Sequence, residues 1–128
     1  MPLTAEWDNE EKTVILLTFS GRWSLDELYF LLDDIIRLSD EVPHMVDHIV
    51  DVRNTRLVPE SIFSIRGRLE RRTPANSGDN VVVGANMLIQ RIAGIFSQVV
   101  PQVGKVYFAA TLEDARVIIE KIKAERNA

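Results

Sequence analysis

Five apolar runs separated by polar segments mark the predicted β-strands of this chain. They cover residues 3–7, 13–19, 45–52, 80–85 and 105–109. The second run is rich in β-branched residues and ends before Gly21, which is typical of a buried strand. Residues 8–11 read Asp-Asn-Glu-Glu and form a turn, so the first two strands are predicted to pair as a hairpin.

Between the later strands, apolar residues recur every three or four positions, the pattern of amphipathic helices. The first helix is predicted to begin after Ser24, because Ser24 and Glu27 match a capping box. Pro59 suits the first position of the second helix. Asn86 and Thr111 are the predicted N-caps of the third and fourth helices.

The predicted order of elements is therefore ββαβαβαβα. Strands that alternate with helices form mostly parallel sheets with right-handed crossovers, and the hairpin adds an antiparallel pair. A length of 128 residues suits one domain. We predict a single α/β domain over residues 1–128, with a mixed, mostly parallel sheet and four helices.

The amino-acid composition excludes several classes of function. Cys is absent, which excludes a disulfide framework, a thiolate nucleophile and a Cys-ligated metal site. The two histidines, His44 and His48, are four residues apart on a predicted strand, about 13 Å and too far to share a metal ion. We expect surface or hydrogen-bonded histidines instead. No Ser–His–Asp set and no phosphate-binding glycine motif stands out, so we predict a protein that is not an enzyme and has no catalytic residue, metal or cofactor.

Charge is distributed unevenly along the chain. Residues 1–52 carry 12 acidic and 3 basic side chains, whereas residues 53–128 carry 7 acidic and 12 basic ones. Arginine suits bidentate binding of carboxylates and phosphates. We therefore consider Arg68, Arg71 and Arg72 a candidate basic docking face for an acidic partner or an anionic headgroup, the alternative being a solvated helix face. The net charge of −4 argues against a nucleic-acid partner.

The third predicted helix, residues 87–100, is apolar on more than one face. Such a helix is usually buried on two sides. In a chain of this size, we expect the second side to contact another copy of the chain or a lipid-like ligand. The candidate interface or ligand face consists of Met87, Leu88, Ile92, Ile95 and Phe96.

Three local features resemble STAS-type domains, which have the SpoIIAA-like (anti-sigma-factor antagonist) architecture, and their Sec14-like relatives. The strand at 49–53 precedes a polar loop and a helix near Pro59, and the strand at 81–85 leads straight into a helix. Residues 108–115 are similar to the family's last strand and the T-x-E-x-A start of its final helix. The resemblance covers nearly the whole chain in its order of elements.

This resemblance implies a SpoIIAA-like fold and a regulatory module that binds protein partners in signalling. The Sec14-like relatives imply an alternative, a domain that binds a small hydrophobic ligand or a lipid. The start of the chain lacks the basic and apolar regions of a signal peptide, and no apolar run approaches the roughly 20 residues that span a bilayer. We therefore expect a cytoplasmic protein without stable membrane insertion.

The family's strand-to-helix loop resembles D-L-S-x-V-x-x-I-D-S-S-G and contains a phosphorylatable Ser. In this chain Asp51 matches the opening Asp and Ser61 matches the second Ser. Pro59, Glu60 and Ile62 replace the Asp, the first Ser and the Gly, so the core of the motif is degenerate.

The candidate phospho-loop comprises Asp51, Arg53, Thr55, Arg56, Glu60 and Ser61. A phosphate on Ser61 would lie in the first turn of the second helix, where free N–H groups favour negative charge. Arg53 and Arg56 are expected nearby, but Glu60 would repel the phosphate. The alternative is that Glu60 and Ser61 are simply favourable first-turn residues.

Overall fold

The computed structural model describes residues 2–128 and confirms the predicted order of elements. The strands are β1 (Leu3–Trp7), β2 (Val14–Arg22), β3 (Val46–Leu57), β4 (Ser77–Val83) and β5 (Val106–Ala109). The α-helices are α1 (Leu25–Ser39), α2 (Arg66–Arg72), α3 (Met87–Val99) and α4 (Leu112–Arg126). Two 3₁₀-helices, η1 (Ile62–Ile65) and η2 (Pro101–Val103), precede α2 and follow α3.

The five strands form one mixed sheet in the order β1-β2-β3-β4-β5. β1 pairs antiparallel with β2, and the other neighbouring strands pair in parallel. Each crossover between parallel strands moves in the same direction across the sheet, so right-handed connections place α1, α2 and α3 on one face. α4 covers the opposite face, where it contacts β3, β4 and β5. The chain is thus the predicted single α/β domain.

The sheet separates two apolar cores, because successive side chains of a strand point to opposite faces. In β3, Val46 and Val52 belong to the core beneath α1, α2 and α3. Ile49, on the other face, packs with Ile119 and Ile122 of α4. The larger core is the one that contains the candidate site.

The predicted helix caps are confirmed. The backbone N–H of Glu27 donates to Ser24 Oγ at 3.2 Å, and the N–H of Ser24 donates to the Glu27 carboxylate at 3.1 Å. The side chains of Asn86 and Thr111 accept the N–H three residues further on, at 2.9 and 3.1 Å. These local hydrogen bonds fix where α1, α3 and α4 begin.

The predicted end of the third strand is wrong. β3 does not end at Val52 but continues to Leu57, because Asn54 and Thr55 remain paired with β2. Gly21 does not end β2 either, and lies within the strand at φ +63° beside a register shift. This part of β3 is mostly polar and exposed, so backbone pairing continues where the hydrophobic pattern has stopped.

The second helix does not begin at Pro59. Residues 60–61 form a turn, η1 begins at Ile62 and α2 begins only at Arg66. Neither start has a side-chain cap, and a tight 3₁₀ turn takes the place of the first α-helical turn. α2 is therefore a short helix of seven residues.

Candidate functional site

Two adjoining cavities lie between the sheet and helices α1, α2 and α3. Their volumes are about 180 and 230 Å³. They share four lining residues, Phe19, Val50, Ile65 and Phe96, which come from β2, β3, η1 and α3. A cavity of about 150 Å³ in a protein core is enough to bind benzene. Each cavity is therefore large enough to hold part of an organic ligand.

The smaller cavity, which we call the apolar cavity, lies beneath α3. Ile89, Ile92 and Ala93 of α3 line it from above, and Trp23 lines it from the β2–α1 connection. Among the described residues that line it, Thr55 contributes the one hydroxyl group, which faces the carbonyl oxygen of Phe19 at 3.5 Å. This cavity suits a hydrocarbon group.

The larger cavity, which we call the mixed cavity, lies between α1 and α2. Leu32 and Ile35 of α1 provide apolar lining. His48 of β3, Asn80 of β4 and Arg68 of α2 add polar groups. The two cavities therefore lie side by side and differ in lining, one being apolar and the other partly polar.

His48 is buried in the wall of the mixed cavity, with 4 % of its surface exposed. Within residues 2–128, neither of its ring nitrogens has a hydrogen-bond partner. Burial lowers the pKa of His48 to about 4, and smaller effects of Asp47, the Asn80 side chain and the Asp79 backbone oppose the shift. Asn80 and Asp79 lie near the ring without meeting hydrogen-bond geometry. The imidazole is therefore neutral at pH 7, with one donor and one acceptor nitrogen.

The expectation for the histidines is confirmed for His44 and wrong for His48. His44 is exposed, and its Nε2 lies 2.8 Å from the carbonyl oxygen of Lys12. His48 is buried, and within the described residues it is not hydrogen-bonded. Successive side chains of a strand alternate between its two faces, and by this alternation His48 shares the core face of β3 with Val46 and Val50. That alternation is the sequence signal that would have placed His48 in the core.

Arg68 and Arg72 lie on α2 beside the mixed cavity. The guanidinium of Arg68 donates to the carboxylate of Asp33 on α1, and Arg72 lies 3.5 Å from the same carboxylate. Arg68 also lies over the ring of Tyr29, 5.4 Å from its centre. One carboxylate thus faces two guanidinium groups, which leaves an excess positive charge between α1 and α2.

The structure divides the candidate basic docking face. The side chain of Arg68 is 17 % exposed and is turned towards α1. Arg71 and Arg72 are exposed to solvent. Arg68 is therefore placed to hold α2 against α1. Arg72 is exposed but lies beside Asp33, and Arg71 is open to an outside partner.

The candidate face on α3 is divided as well. Ile92 and Phe96 line the apolar cavity. Met87 and Leu88 are 72 and 61 % exposed, and Ile95 is also exposed. The five residues therefore contribute to two surfaces, one inside the fold and one outside it.

The candidate phospho-loop is not one loop. Asp51, Arg53, Thr55 and Arg56 lie in β3, and only the short segment at residues 58–61 separates that strand from η1. Arg53 donates from Nε and Nη2 to the two oxygens of Asp51, both at 2.9 Å. The side-chain hydrogen bond from Arg53 holds the pKa of Asp51 below its ordinary value. The Arg53 guanidinium is thus already bound by a carboxylate.

The position predicted for a phosphate on Ser61 is wrong in one respect. Ser61 precedes a 3₁₀-helix rather than the first turn of an α-helix, and its side chain makes no capping hydrogen bond. Ser61 and Glu60 are both exposed. The helix-dipole argument for a phosphate at this position therefore loses its structural basis.

Comparisons with known proteins leave the function to be argued from this geometry. No protein-family model matches the sequence, and no curated protein gives a significant match. Among residues 2–128, no helix combines the length and apolar character needed to cross a membrane. In the same residues, no group of three or more His, Asp or Glu side chains is placed to hold a metal ion.

Proposed function

We propose that this protein is a non-catalytic module that binds a small hydrophobic or lipid-like ligand between its sheet and helices α1, α2 and α3. The observation that carries the proposal is the pair of adjoining cavities in the larger core. Protein interiors are normally close-packed, with few voids larger than a water molecule. Both cavities open to solvent, and an apolar ligand bound there would give their apolar side chains the dispersion contacts that open space lacks.

The shape of the site supports this proposal. Ligand sites are mostly apolar clefts with a few placed polar groups. The apolar cavity and the mixed cavity have that combination, and they meet at Phe19, Val50, Ile65 and Phe96. The resemblance to Sec14-like and SpoIIAA-like domains, which we retain as a proposal, has the same order of elements.

Trp23 provides a direct test of ligand binding, because it lines the apolar cavity. The chain has two tryptophans, so the Trp7→Phe variant leaves Trp23 as the fluorescent reporter. We expect 1-octanol to change Trp23 fluorescence in a saturable way and to raise the melting temperature, since a ligand that binds the folded state stabilises it. Native mass spectrometry of the purified protein should also show a retained apolar ligand.

Two neighbouring positions on α3 provide a matched control. Ala93 lines the apolar cavity, whereas a Cβ at Gly94 would meet no atom within 4 Å among residues 2–128. The Ala93→Phe variant should fill the cavity and abolish the octanol response, and the Gly94→Ala variant should keep it. The proposal fails if the Trp7→Phe protein shows no saturable response, or if Ala93→Phe responds as strongly as Gly94→Ala.

A second candidate function, a protein-interaction module, is favoured by the outer face of α3. Met87, Leu88 and Ile95 are large apolar residues that the fold leaves exposed. Contiguous exposed apolar surface is typical of protein interfaces. A second copy of this chain is the partner that we would test first, because Met87 and Leu88 would be buried on both copies at a two-fold interface.

Light scattering after size-exclusion chromatography tests this second candidate. We expect a dimer whose mass falls to that of a monomer in the Leu88→Ser variant. Val117→Ser is the matched control, since Val117 is similarly exposed but lies on α4, on the other side of the sheet. A monomer at all concentrations would exclude a homodimer.

A further inference from the structure

We propose that the mixed cavity binds a single-chain carboxylate of the fatty-acid type, with the hydrocarbon chain inside the cavity and the carboxylate at the guanidinium of Arg72. The inference rests on the proposed function and gives the chemical class of the ligand. Two observations carry it. The cavity is lined mostly by apolar side chains, and the two arginines that also line it share a single carboxylate.

Positive charge accumulates on α2 beside the mixed cavity. This short helix contains four arginines and one glutamate. The glutamate, Glu70, pairs with Arg66 at 2.6 Å, so the other three arginines have no carboxylate partner on α2. Within residues 2–128, Asp33 of α1 is the one acidic residue that pairs with Arg68 or Arg72. Two guanidinium groups against one carboxylate leave one positive charge in excess, which matches a singly charged ligand.

The two arginines differ in how free they are to bind a ligand. Arg68 donates a hydrogen bond to Asp33, lies over the ring of Tyr29, and has a side chain that is 17 % exposed. These contacts hold it between the helices. The side chain of Arg72 is 55 % exposed, and its Nη1 lies 3.5 Å from the Asp33 carboxylate, which is long for a hydrogen bond. The guanidinium of Arg72 therefore keeps N–H donors for a second carboxylate.

The exposed groups of this cluster mark the side of the cavity that faces solvent. Asp33 and Arg72 face each other across the gap between α1 and α2, and each is about half exposed. The inner wall of the cavity includes Leu17 and Val50 of the sheet. A carboxylate beside Arg72 would thus remain partly hydrated, which avoids the cost of burying an ionised group. The chain of the same ligand would extend among apolar side chains towards Leu17.

The volume of the mixed cavity suits one hydrocarbon chain. It is about 230 Å³. Since a cavity of about 150 Å³ holds benzene, this volume suits a chain of about eight carbon atoms. Octanoate is therefore the probe of choice. The alcohol 1-octanol has a chain of the same length without the charge, so comparing the two compounds separates recognition of the carboxylate from general apolar binding.

An NMR titration of the isotope-labelled protein measures the dissociation constants and locates the binding at the same time. We expect octanoate to bind with saturation. The backbone amide signals of Leu32 and Leu69, which line the mixed cavity, should shift. The signal of Ile119, which packs on the opposite face of the sheet, should not.

Arg71 and Arg72 are neighbours on α2 and provide a matched pair of variants. Arg71 is not among the described residues that line the cavity, and its Nη1 lies 3.0 Å from where a Cβ on Gly67 would be. Arg72→Met should raise the dissociation constant of octanoate about fivefold. Arg71→Met removes the same charge but should change it by less than about twofold, because salt screens a charge that is not in contact.

Two further measurements exclude an indirect effect of the substitution. Arg72→Lys keeps the charge and should keep most of the affinity for octanoate. The dissociation constant of 1-octanol should be the same in the wild type, Arg71→Met and Arg72→Met, since this compound has no charge to pair.

The outcomes distinguish the two proposals. Equal weakening of octanoate binding in Arg71→Met and Arg72→Met would overturn the carboxylate site and indicate a diffuse basic surface, which suits an acidic protein partner instead. Binding of 1-octanol without binding of octanoate would also overturn the carboxylate site and leave the proposed function intact. If neither compound binds, the proposed function itself fails.

Discussion

Arg126, at the C-terminal end of α4, binds the buried carboxylate of Asp47 on β3 through both terminal nitrogens, at 2.7 and 3.2 Å. Asp47 is 1 % exposed, and its Oδ1 also accepts the backbone N–H of Asp79 at 2.8 Å. The hydrogen bond to Asp47 raises the pKa of Arg126 above its ordinary value. The pair thus joins the last turn of α4 to the start of β3, the central strand of the sheet.

Removing Arg126 should destabilise the fold strongly. Arg126→Met would leave the Asp47 carboxylate buried without its cation, and we expect the free energy of unfolding to fall by about 3 kcal/mol. Urea denaturation at pH 7 measures the change. Arg37→Met is the control, because Arg37 forms an exposed pair with Asp34 at 3.5 Å, worth less than about 1 kcal/mol. Equal effects of the two substitutions would contradict the structural role of the buried pair.

His48 should make the stability depend on pH. Its folded-state pKa of about 4 lies below the ordinary value of 6.5, so the unfolded chain takes up the proton first as the pH falls. The free energy of unfolding should therefore decrease between pH 6.5 and pH 4, by up to about 3 kcal/mol from this group. Urea denaturation of the unliganded protein at several pH values would measure it.

The His48→Phe variant isolates this contribution. It should lack the decrease that His48 causes, whereas His44→Phe should keep it. Protonation of the carboxylates changes the free energy of unfolding of all three proteins alike. The difference between their curves of stability against pH therefore gives the contribution of His48. Parallel curves for the wild type and His48→Phe would show that the buried imidazole does not titrate with a lowered pKa.

Two glycines should respond to alanine in opposite ways. Gly94 lies in α3, and a Cβ added there would meet only open space, so Gly94→Ala should stabilise the protein by about 0.5–1 kcal/mol. Gly104 has φ +88°, and a Cβ there would clash with the carbonyl oxygen of Gly78. Gly104→Ala should lower the melting temperature, and thermal denaturation of the two variants checks both signs. A melting temperature that rises in both variants would refute the clash at Gly104.

Ser61 should be unmodified in protein isolated from its native cells. The guanidinium of Arg53 is bound by Asp51, and Glu60 adds a like charge beside the serine. Mass spectrometry of the peptide that contains Ser61 tests this expectation. A phosphorylated fraction would favour a regulatory switch despite the degenerate motif.

The order of elements could be predicted because its signals are local. Apolar periodicity identified the strands and helices, and Ser24, Asn86 and Thr111 each cap a helix through a side chain three residues from its partner. The end of β3 could not be predicted in this way. Its last residues are polar, and β2 holds them through backbone hydrogen bonds that leave no pattern in the side chains.

The candidate site was predictable only in part. The apolar excess of α3 pointed to Ile92 and Phe96, which do line a cavity. The cavities depend on the distance between two layers, which no short sequence pattern encodes. His48 was expected at the surface or in a hydrogen bond because its polarity was weighed without its register, although Val46 and Val50, two residues away on either side, mark the core face of the strand.

The division of the sheet into two faces also has a thermodynamic consequence. The larger core has two openings lined mostly by apolar side chains, which lack dispersion contacts there. On the opposite face, Ile49, Val81, Val83 and Ala115 have no exposed surface, and they pack against α4 with the side chains around them. This tightly packed half therefore contributes stability that does not depend on whether the openings on the other face are filled.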